Sequence, residues 1–303
     1  MSDGSVTVVS VSYNSAIPLQ GMLCTIPKGT PVIVVDNASE DDSVEVAKRS
    51  GATVIVNEQN VGFGNACNIG ARAAQSEYLF FLNPDTELEP DTIDSLLLAT
   101  ERYPFASALS PVLLSQSRVP TLMHKSILVP EKRWLPKELP DSDFEVPAIS
   151  GAAIFISRRK FNEVGEFDKN IFYYHEDDDL CLRLRRQFGP IMIVHSAHLM
   201  HLGSQSVSTN SQLGGFKCFH FHKSRMYVVR KHGVPFPVKR KIYELSLNFL
   251  LSCLFFRRKY QIKYYYSLLG MLSVEGKEKY KMIDFVLSRM ARAYKVDSLY
   301  QLD

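Results

Sequence analysis

The sequence predicts an α/β fold followed by a helical extension, because short apolar runs alternate with stretches of helical periodicity through its N-terminal third. Four of these runs are almost continuously apolar, as expected of strands buried on both faces of a sheet. The predicted strands are Val6–Tyr13, Pro31–Asp36, Thr53–Asn57 and Tyr78–Leu82. The predicted helices are Asp41–Ser50, Asn65–Ala74 and Asp91–Tyr103. Strands separated by helices at this spacing indicate right-handed βαβ units and a parallel sheet.

The middle of the chain is less regular. Leu114–Val146 is rich in Pro and Ser and has weak periodicity, so it is predicted to be a long loop. Ile149–Ser157 and Ile191–His195 are predicted strands, and Glu176–Gln187 is a predicted helix with an acidic first turn.

The character of the sequence then changes, which predicts a sheet domain over residues 1–210 and a basic, aromatic, helical region over residues 211–303. Its predicted helices are Phe216–His232, Lys239–Phe256, Tyr260–Leu272 and Tyr280–Tyr294. The longest apolar stretch, Leu245–Phe256, is about half of the ~20 residues that a spanning helix needs. Arg257, Arg258 and Lys259 follow it. Two compatible interpretations stay open: a cap packed on the sheet domain, and a face on an anionic membrane surface. Contacts with an acceptor or a second copy of the chain are further alternatives.

Composition excludes several other classes of protein. Of the 303 residues, 46% are hydrophobic and 22% charged, as in ordinary folded proteins. A net charge of +3 is too small to indicate nucleic-acid binding. The 5 cysteines are scattered without a CxxC pair, which argues against a disulfide framework or a zinc knuckle. With no signal-peptide pattern at the N-terminus, we expect a cytoplasmic protein in a reducing compartment, peripheral on the membrane if its C-terminal region binds lipid.

Polar residues follow three of the predicted strands. They are Tyr13-Asn14, Asp36-Asn37 and Asn83-Pro84-Asp85. Ligands of open α/β sheets bind beyond the carboxyl ends of the strands, so these clusters predict a binding site. Asp85 offers a carboxylate that suits Mg²⁺ or Mn²⁺, which a diphosphate leaving group needs. The alternative for Asp85 is a cap of the turn before the next helix.

Glu176-Asp177-Asp178-Asp179 is the second candidate for chemistry. The helix dipole favours acid at this position but does not require four acids in a row. A general base must be a positioned carboxylate or histidine, and Asp177 projects differently from Glu176 and Asp179, which share one helix face. His201 and the turn Asn60–Asn65 are weaker candidates, as a metal ligand and a phosphate-binding turn respectively, because a lone histidine is more often structural and the turn lacks the GxGxxG pattern.

Taken together, these motifs resemble the inverting family 2 glycosyltransferases, especially their rhamnosyltransferase-like branch. The matching blocks, in order over roughly residues 5–206, are Val11–Ser15, Val34–Ser39, Asn60–Gly64, Phe81–Thr86, Ser150–Ala153, Gly165–Asp168, His175–Arg183 and His201–Gly203. The resemblance implies the GT-A fold, a Rossmann-like nucleotide-binding mixed sheet flanked by helices.

The resemblance also implies roles for individual residues. Tyr13 would lie against the nucleotide base, and Asp36 would accept the base imide N–H, which implies uracil or thymine. Asp85 and His201 would bind the metal, Asp177 would be the catalytic base, and Glu176 and Asp179 would support it. The remaining residues implied for nucleotide binding are Asn14, Asn37, Gly62, Asn65 and Asn83, and those implied for the acceptor and sugar region are Gly151 and Ala152. Asn83 stands where the commoner motif has Asp, which removes a charge near the ribose and the metal.

The function expected from this resemblance is transfer of a sugar, preferably rhamnose from dTDP-rhamnose and otherwise a sugar from a UDP donor, with Mg²⁺ or Mn²⁺. The acceptor would be a hydroxyl of a surface glycan, lipid-linked or free. One alternative is a nucleotide-sugar-binding scaffold without turnover, against which the Glu176-Asp177 pair argues. Another is a nucleotidyltransferase, which would need a Gly- and Lys-rich loop that Val6–Ser15 does not contain.

Overall fold

The computed structural model describes residues 5–121, 126–129, 140–203, 211–276, 280, 283 and 287–290. The chain divides into two compact units. The first contains Met1–Phe172 and Glu176–Val207, and the second contains Tyr173–His175 and Ser208–Asp303. Most of the predicted helix Tyr280–Tyr294 lies outside the described residues.

The first unit is a mixed sheet flanked by helices. Its strands are β1 Val6–Ser12, β2 Val32–Asp36, β3 Thr53–Val56, β4 Tyr78–Leu82, β5 Thr86–Leu88, β6 Ala108–Leu114, β7 Phe144–Val146, β8 Ala153–Ser157 and β9 Ile191–His201. Its helices are α1 Ala16–Thr25, α2 Ser43–Arg49, α3 Phe63–Ala73, α4 Thr92–Arg102, α5 Arg158–Glu163 and α6 Glu176–Gln187. The strand order is β3-β2-β1-β4-β8-β6-β9-β5, and β7 pairs with β9.

The sheet is parallel in one half and mixed in the other. β1 pairs in parallel with both β2 and β4, and β2 pairs in parallel with β3, as predicted for the N-terminal third. Beyond β4, β8 runs antiparallel to β4 and β6, β9 runs parallel to β6, and β5 is antiparallel to β9. The predicted fold class, an α/β mixed sheet flanked by helices, is therefore confirmed.

The apolar strands form the centre of two hydrophobic cores, one on each face of the sheet. In β1, Val9 and Val11 belong to one core and Val6 and Val8 to the other. β4 divides in the same way, because alternate side chains of a strand point to opposite faces. This two-sided burial explains why the sequence of these strands is continuously apolar instead of alternating.

Several elements differ from the sequence prediction. The strand predicted from Ile149 begins at Ala153, because Gly151 and Ala152 form a turn. Outside the predicted loop, α1, β5, β6 and α5 were not predicted. Two of these elements contain a proline: Pro18 lies in the first turn of α1, where proline is tolerated, and Pro111 lies next to a register shift in β6. Residues 122–125 and 130–139 of the predicted loop Leu114–Val146 lie outside the described residues. Its described part contains β7 at its end and a bridge from Leu114 to Pro120.

The second unit is helical. Its long helices are α7 Ser211–Lys231, α8 Val238–Leu254 and α9 Arg258–Glu275. The helices α7 and α9 approach closely at Gly270, where an added Cβ would lie 2.2 Å from the Phe219 carbonyl oxygen. A hydrophobic core that includes Phe249, Ile262 and Tyr266 holds the three helices together. Among the described residues, no helix is both long enough and apolar enough to cross a membrane.

Tyr173–His175 belongs to this second unit although it directly precedes α6. The hydroxyl of Ser224 donates to the Tyr173 carbonyl at 2.8 Å, and the rings of Tyr174 and His175 pack on Phe221 of α7. Tyr174 and His175 both have φ of 67°, in the left-handed region that bulky residues rarely adopt. No sequence pattern indicated this conformation.

Candidate active site

The carboxyl ends of the parallel strands lie side by side. Ser12 at the end of β1 is in register with Asp36 at the end of β2, and β1 also pairs with β4, which ends at Leu82. The turns that leave these three strands therefore start from one edge of the sheet. They carry most of the residues that the sequence predicted for nucleotide and metal binding.

Asp36 is buried and anchors the turn that follows β2. Its Oδ1 accepts the backbone N–H of Ser39 at 2.9 Å, and its Oδ2 accepts the Ser39 hydroxyl at 2.6 Å. The oxygen of that hydroxyl accepts the backbone N–H of Asn14 at 2.9 Å. Ser39 thus connects the loops after β1 and β2. Each carboxylate oxygen of Asp36 retains a second lone pair, so the group can accept one more donor.

Asn37, a buried residue, connects three strand ends through its backbone and its side chain. Its backbone N–H donates to the Ser12 carbonyl at 2.8 Å, and its Oδ1 accepts from the side-chain amide of Asn57, which follows β3, at 2.8 Å. Its Nδ2 donates to the Gly62 carbonyl at 3.3 Å. The Asn37 amide therefore fixes the shape of the edge through contacts within the chain.

Gly62 begins the approach to α3 and lies against the backbone. Its φ is 85°, and an added Cβ would lie 2.3 Å from the Phe172 carbonyl oxygen. The side-chain amide of Asn65, in the first turn of α3, donates to the carbonyls of Val61 and Lys169 at 3.0 and 3.2 Å. Both residues thus hold the Asn60–Asn65 turn in place against the chain near residues 169–172.

Asp85 and His201 come together at the same edge. Asp85 is buried in the turn between β4 and β5, and His201 is the last residue of β9. Thr86 pairs with His201 in the sheet, and the Leu202 N–H donates to the Asp85 carbonyl at 2.9 Å. As a result, Nε2 of His201 lies 3.4 Å from Oδ1 of Asp85. In the described part of the chain, no group of three or more His, Cys, Asp or Glu side chains is arranged to hold a metal.

Asp177 is held against the turn that precedes β8. Its Oδ2 accepts the backbone N–H of Gly151 at 3.0 Å, and its Oδ1 accepts the backbone N–H of Asp178 at 2.8 Å. The neighbouring Ala152 carbonyl accepts the backbone N–H of Asn83 at 3.0 Å. Through these bonds the start of α6 is connected to the end of β4, two residues before Asp85.

The other acids of α6 are more deeply buried than Asp177. Burial and the nearby charges of Asp177 and Asp178 raise the pKa of Glu176 well above its usual range. Oε2 of Glu176 has no hydrogen-bond partner among the described residues. At the pH of a cell this carboxyl is therefore neutral more often than an exposed one, which reduces repulsion beside Asp177.

Asp179 has a structural partner in Arg183, one helical turn later. Nε of Arg183 lies 2.8 Å from Oδ2 of Asp179, which is fully buried. The other Arg183 nitrogens donate to the Val164 and Glu166 carbonyls, each at 2.7 Å. Asp179 therefore orients Arg183, which joins α6 to the loop after α5.

The structure brings most of the predicted site residues to this edge. Some of them are exposed, whereas others form hydrogen bonds within the chain. Tyr13 is 40% exposed, and Asn14, whose φ is 48°, is also exposed. The side chains of Asn37 and Asn65 are directed to groups of the chain itself. Sequence reasoning missed the roles of Ser39 and Arg183. Their signals were an acid three residues before Ser39, typical of an Asx turn, and an acid four residues before Arg183, typical of a helix ion pair.

Comparisons with known proteins define the class. Residues 7–165 match the family model described as Glycosyl transferase family 2. The chain belongs to this family of glycosyltransferases.

Two curated relatives are rhamnosyltransferases. The chain is 26% identical, over 75% of its length and 84% of the relative, to the N-acetylglucosaminyl-diphospho-decaprenol L-rhamnosyltransferase of Mycobacterium tuberculosis. It is 27% identical, over 66% of its length and 82% of the relative, to the rhamnosyltransferase WbbL of Escherichia coli K12.

Solved structures support the fold. A mannosyltransferase from Pyrobaculum calidifontis, in complex with GDP-Man and Mn²⁺, superposes with a TM-score of 0.56 at 15% identity. The match covers 98% of this chain and 81% of that protein. At this identity the likeness concerns the fold alone, and the fold is the GT-A fold of glycosyltransferases.

Proposed function

We propose that this glycosyltransferase inverts the anomeric centre of its donor, with Asp177 as the base and a divalent cation at Asp85 and His201. The preferred donor is dTDP-rhamnose, and a UDP-sugar is the second candidate. The observation that carries the proposal is the buried Asp85 carboxylate beside His201, at the edge of the sheet to which Asp177 is connected through Gly151 and Ala152.

The donor set at this pair suits a small hard cation. A carboxylate oxygen is the ligand that Mg²⁺ and Mn²⁺ prefer, and the imidazole nitrogen is close enough to share one ion with it. Asp85 and His201 would hold the ion together with the diphosphate of the donor, as in other sites where metal is bound with a phosphate substrate. A cation bound there supplies stabilisation of the negative charge that develops on the departing diphosphate.

Asp177 is suited to remove the acceptor proton. Two backbone N–H groups fix its orientation, and the side chain is only partly buried, so an acceptor hydroxyl can reach it. In the proposed step, Asp177 takes the hydroxyl proton while the acceptor oxygen forms a bond to the anomeric carbon. The bond from that carbon to the diphosphate oxygen breaks with its electron pair, and the single displacement inverts the configuration.

The loops after β1 and β2 are suited to hold the nucleoside. Tyr13 offers an exposed ring for stacking on a base, and Asp36 retains acceptor capacity for an imide N–H. Uracil and thymine carry that N–H, whereas cytosine does not, which supports a UDP or dTDP donor. Asn14, Asn37, Gly62, Asn65 and Asn83 would position this half of the site, and Gly151 and Ala152 would border the sugar and acceptor.

The preference for rhamnose and for a lipid-linked glycan acceptor rests on the relatives. Both are named as rhamnosyltransferases, and the name of the mycobacterial protein specifies a diphospho-decaprenol acceptor. The alternative is a binding protein that kept the fold and lost turnover. The connection of Asp177 to the Asn83–Asp85 turn favours the enzyme, because binding of a donor alone requires no base.

The proposal is tested in two stages. Thermal unfolding is first measured with dTDP, UDP, GDP and CMP, each with and without Mn²⁺ or Mg²⁺. A ligand at 100 times its Kd adds about 2.7 kcal/mol to the stability of the folded state. We expect a metal-dependent increase in Tm with dTDP or UDP only. Transfer is then assayed with dTDP-rhamnose on a polyprenyl-diphosphate glycan. Metal-dependent binding without transfer from any dTDP or UDP donor would favour the scaffold, and no binding would reject both.

A further inference from the structure

We infer that α8 lies flat on an anionic lipid surface through the side of the helix that faces away from the core of the C-terminal unit. We call this side the outer face and define it by Tyr243, Leu247, Leu251, Leu254, Phe255 and Phe256. The inference rests on the proposed function and deepens it, because binding to the membrane surface would keep the enzyme close to lipid-linked acceptors.

The helix α8 is apolar on two opposite sides. Its inner side, which includes Ile242, Leu245 and Phe249, is buried in the core of the C-terminal unit. On the outer face, Tyr243, Leu247, Leu251 and Leu254 recur at positions i, i+4, i+8 and i+11, which align along one stripe of a helix. These four side chains are 63%, 57%, 41% and 69% exposed. The core of the C-terminal unit covers only the inner side of the helix. The outer face is an exposed apolar surface, and such surfaces mark sites that contact a membrane or another protein.

The turn after α8 extends this apolar face. Phe255 and Phe256 are 66% and 81% exposed, although water is an unfavourable environment for a phenyl ring. Phe256 also has φ of 52°, a conformation that costs energy for a bulky residue. The backbone thus presents two adjacent aromatic rings at the end of the stripe, where they could enter the boundary between lipid headgroups and acyl chains.

The charges around the outer face fit an anionic partner. The segment that begins with Lys231 and ends with Lys263 contains eight Lys or Arg side chains, both end residues included, and one acidic side chain, Glu244. That acid is paired with Lys241 at 2.9 Å. Basic residues occur at both ends of the helix, in Lys239–Lys241 before the stripe and in Arg257–Lys259 after it. An apolar stripe bounded by basic residues is typical of helices that lie in the plane of an anionic membrane.

The same charges argue against a second copy of the chain as the occupant. If two outer faces packed together in parallel, each basic cluster would face its own copy. If they packed antiparallel, Lys239–Lys241 of one protomer would face Arg257–Lys259 of the other. In both cases positive charges would meet without acidic partners, which disfavours the contact. On an anionic membrane, by contrast, the lipid headgroups would neutralise both basic clusters. The boundary between headgroups and acyl chains would bury the apolar stripe.

The test measures cosedimentation of the full chain with vesicles of phosphatidylcholine, with and without phosphatidylglycerol. We expect binding to the anionic vesicles that weakens as salt is added. The double variant Phe255→Ser/Phe256→Ser should bind about tenfold more weakly or worse, because each buried ring contributes strongly to partition. The triple variant Arg257→Glu/Arg258→Glu/Lys259→Glu should lose the preference for phosphatidylglycerol.

Matched controls lie on the first unit. Ile17→Ser/Leu98→Ser removes two exposed apolar side chains, and Lys28→Glu/Lys48→Glu/Arg49→Glu reverses three exposed charges. Both controls should bind vesicles like the unmodified chain. Equal loss of binding in the controls would show that total hydrophobicity or charge, and not the outer face, is responsible, and would overturn the inference.

Hydrogen exchange and sedimentation test the inference in two further ways. Hydrogen exchange of the unmodified chain should slow over residues 243–260 when anionic vesicles are added, which needs no variant to fold. Absence of vesicle binding, or binding without this protection, would overturn the inference. So would a chain that dimerises in sedimentation and becomes monomeric in Phe255→Ser/Phe256→Ser. Nucleotide-dependent increases in Tm are recorded on the same samples, so that failure of the donor site is recognised separately from failure of the membrane surface.

Discussion

Nε2 of His201 lies 3.4 Å from Oδ1 of Asp85, and the pairing of Thr86 with His201 is what brings the two side chains together. Because β5 and β9 are antiparallel, the end of β9 lies beside the start of β5. The proposed cation site is therefore a property of the sheet, built from residues that are far apart in the sequence. Several variants test this arrangement and the residues around it.

Asp85→Ala should weaken the metal-dependent part of nucleotide binding by about tenfold or more, because it removes the carboxylate of the proposed pair. Binding is measured by titration of dTDP or UDP with and without Mn²⁺. The matched control is Asp94→Ala, an exposed acid in α4, which should leave both titrations unchanged. Equal metal dependence in Asp85→Ala and the unmodified chain would remove Asp85 from the site.

Asp177→Ala should abolish transfer while donor binding stays within about tenfold of the original, because general-base catalysis typically contributes about 10²–10⁴-fold to the rate. Asp177→Asn is the sharper variant, since it keeps the size of the side chain and one acceptor for the Gly151 N–H. Initial rates and donor affinity are measured on the same preparations. Normal turnover in either variant would assign the base elsewhere.

Glu176→Gln should change the pH dependence of stability. The pKa of Glu176 is raised in the folded state, so the folded chain holds a proton that the unfolded chain releases. The resulting stabilisation is complete below the unfolded pKa, about 4.3, and is lost as pH rises through the folded pKa. Thermal unfolding at pH 5 and pH 8 should therefore show the variant gaining stability relative to the unmodified chain as pH rises.

The control for this comparison is Glu101→Gln, which alters an exposed acid at the end of α4. Its Tm should differ from that of the unmodified chain by the same amount at both pH values. If Glu176→Gln behaves like Glu101→Gln, the Glu176 carboxyl is not held neutral by its surroundings.

Gly62→Ala should destabilise the chain more than Gly51→Ala. Both glycines have positive φ, 85° and 83°, so an alanine would strain the backbone at either position. Only at Gly62 does the new Cβ meet the Phe172 carbonyl oxygen, whereas nothing lies within 4 Å at Gly51. Thermal unfolding should show a decrease in Tm at least twice as large for Gly62→Ala. Equal decreases would mean that the turn moves aside without cost.

The parallel half of the sheet could be predicted because its signal is local. Residues of β1 and β4 are buried on both faces, and each strand is therefore apolar along its whole length. Asp36 ends the parallel strand β2 and Asp85 follows β4, so their position at one edge could be inferred from the geometry of parallel sheets. The acidic start of α6 was also evident from the sequence, and its bounds agree with the prediction.

The rest depended on pairings that sequence spacing does not encode. Asp85 meets His201 only because β5 pairs with β9, and β5 is a strand of 3 residues without a pattern of its own. The residue types of Tyr174 and His175 do not indicate their left-handed conformations, and their rings pack on Phe221, which is far away in the sequence. The outer side of α8 could be recognised as apolar, but which of its two apolar sides is buried required the structure.

The buried amide of Asn37 has a consequence for how the donor would bind. Because it joins Asn57, which follows β3, to the carbonyl of Gly62, it fixes this edge of the sheet before any ligand arrives. A preorganised pocket avoids the entropic cost of ordering loops on association. Titration calorimetry of the donor nucleotide should accordingly give only a small negative heat-capacity change, without the large ordering signature of coupled folding. In the variant Asn37→Ala, binding of the same nucleotide would have to order the surrounding loops first.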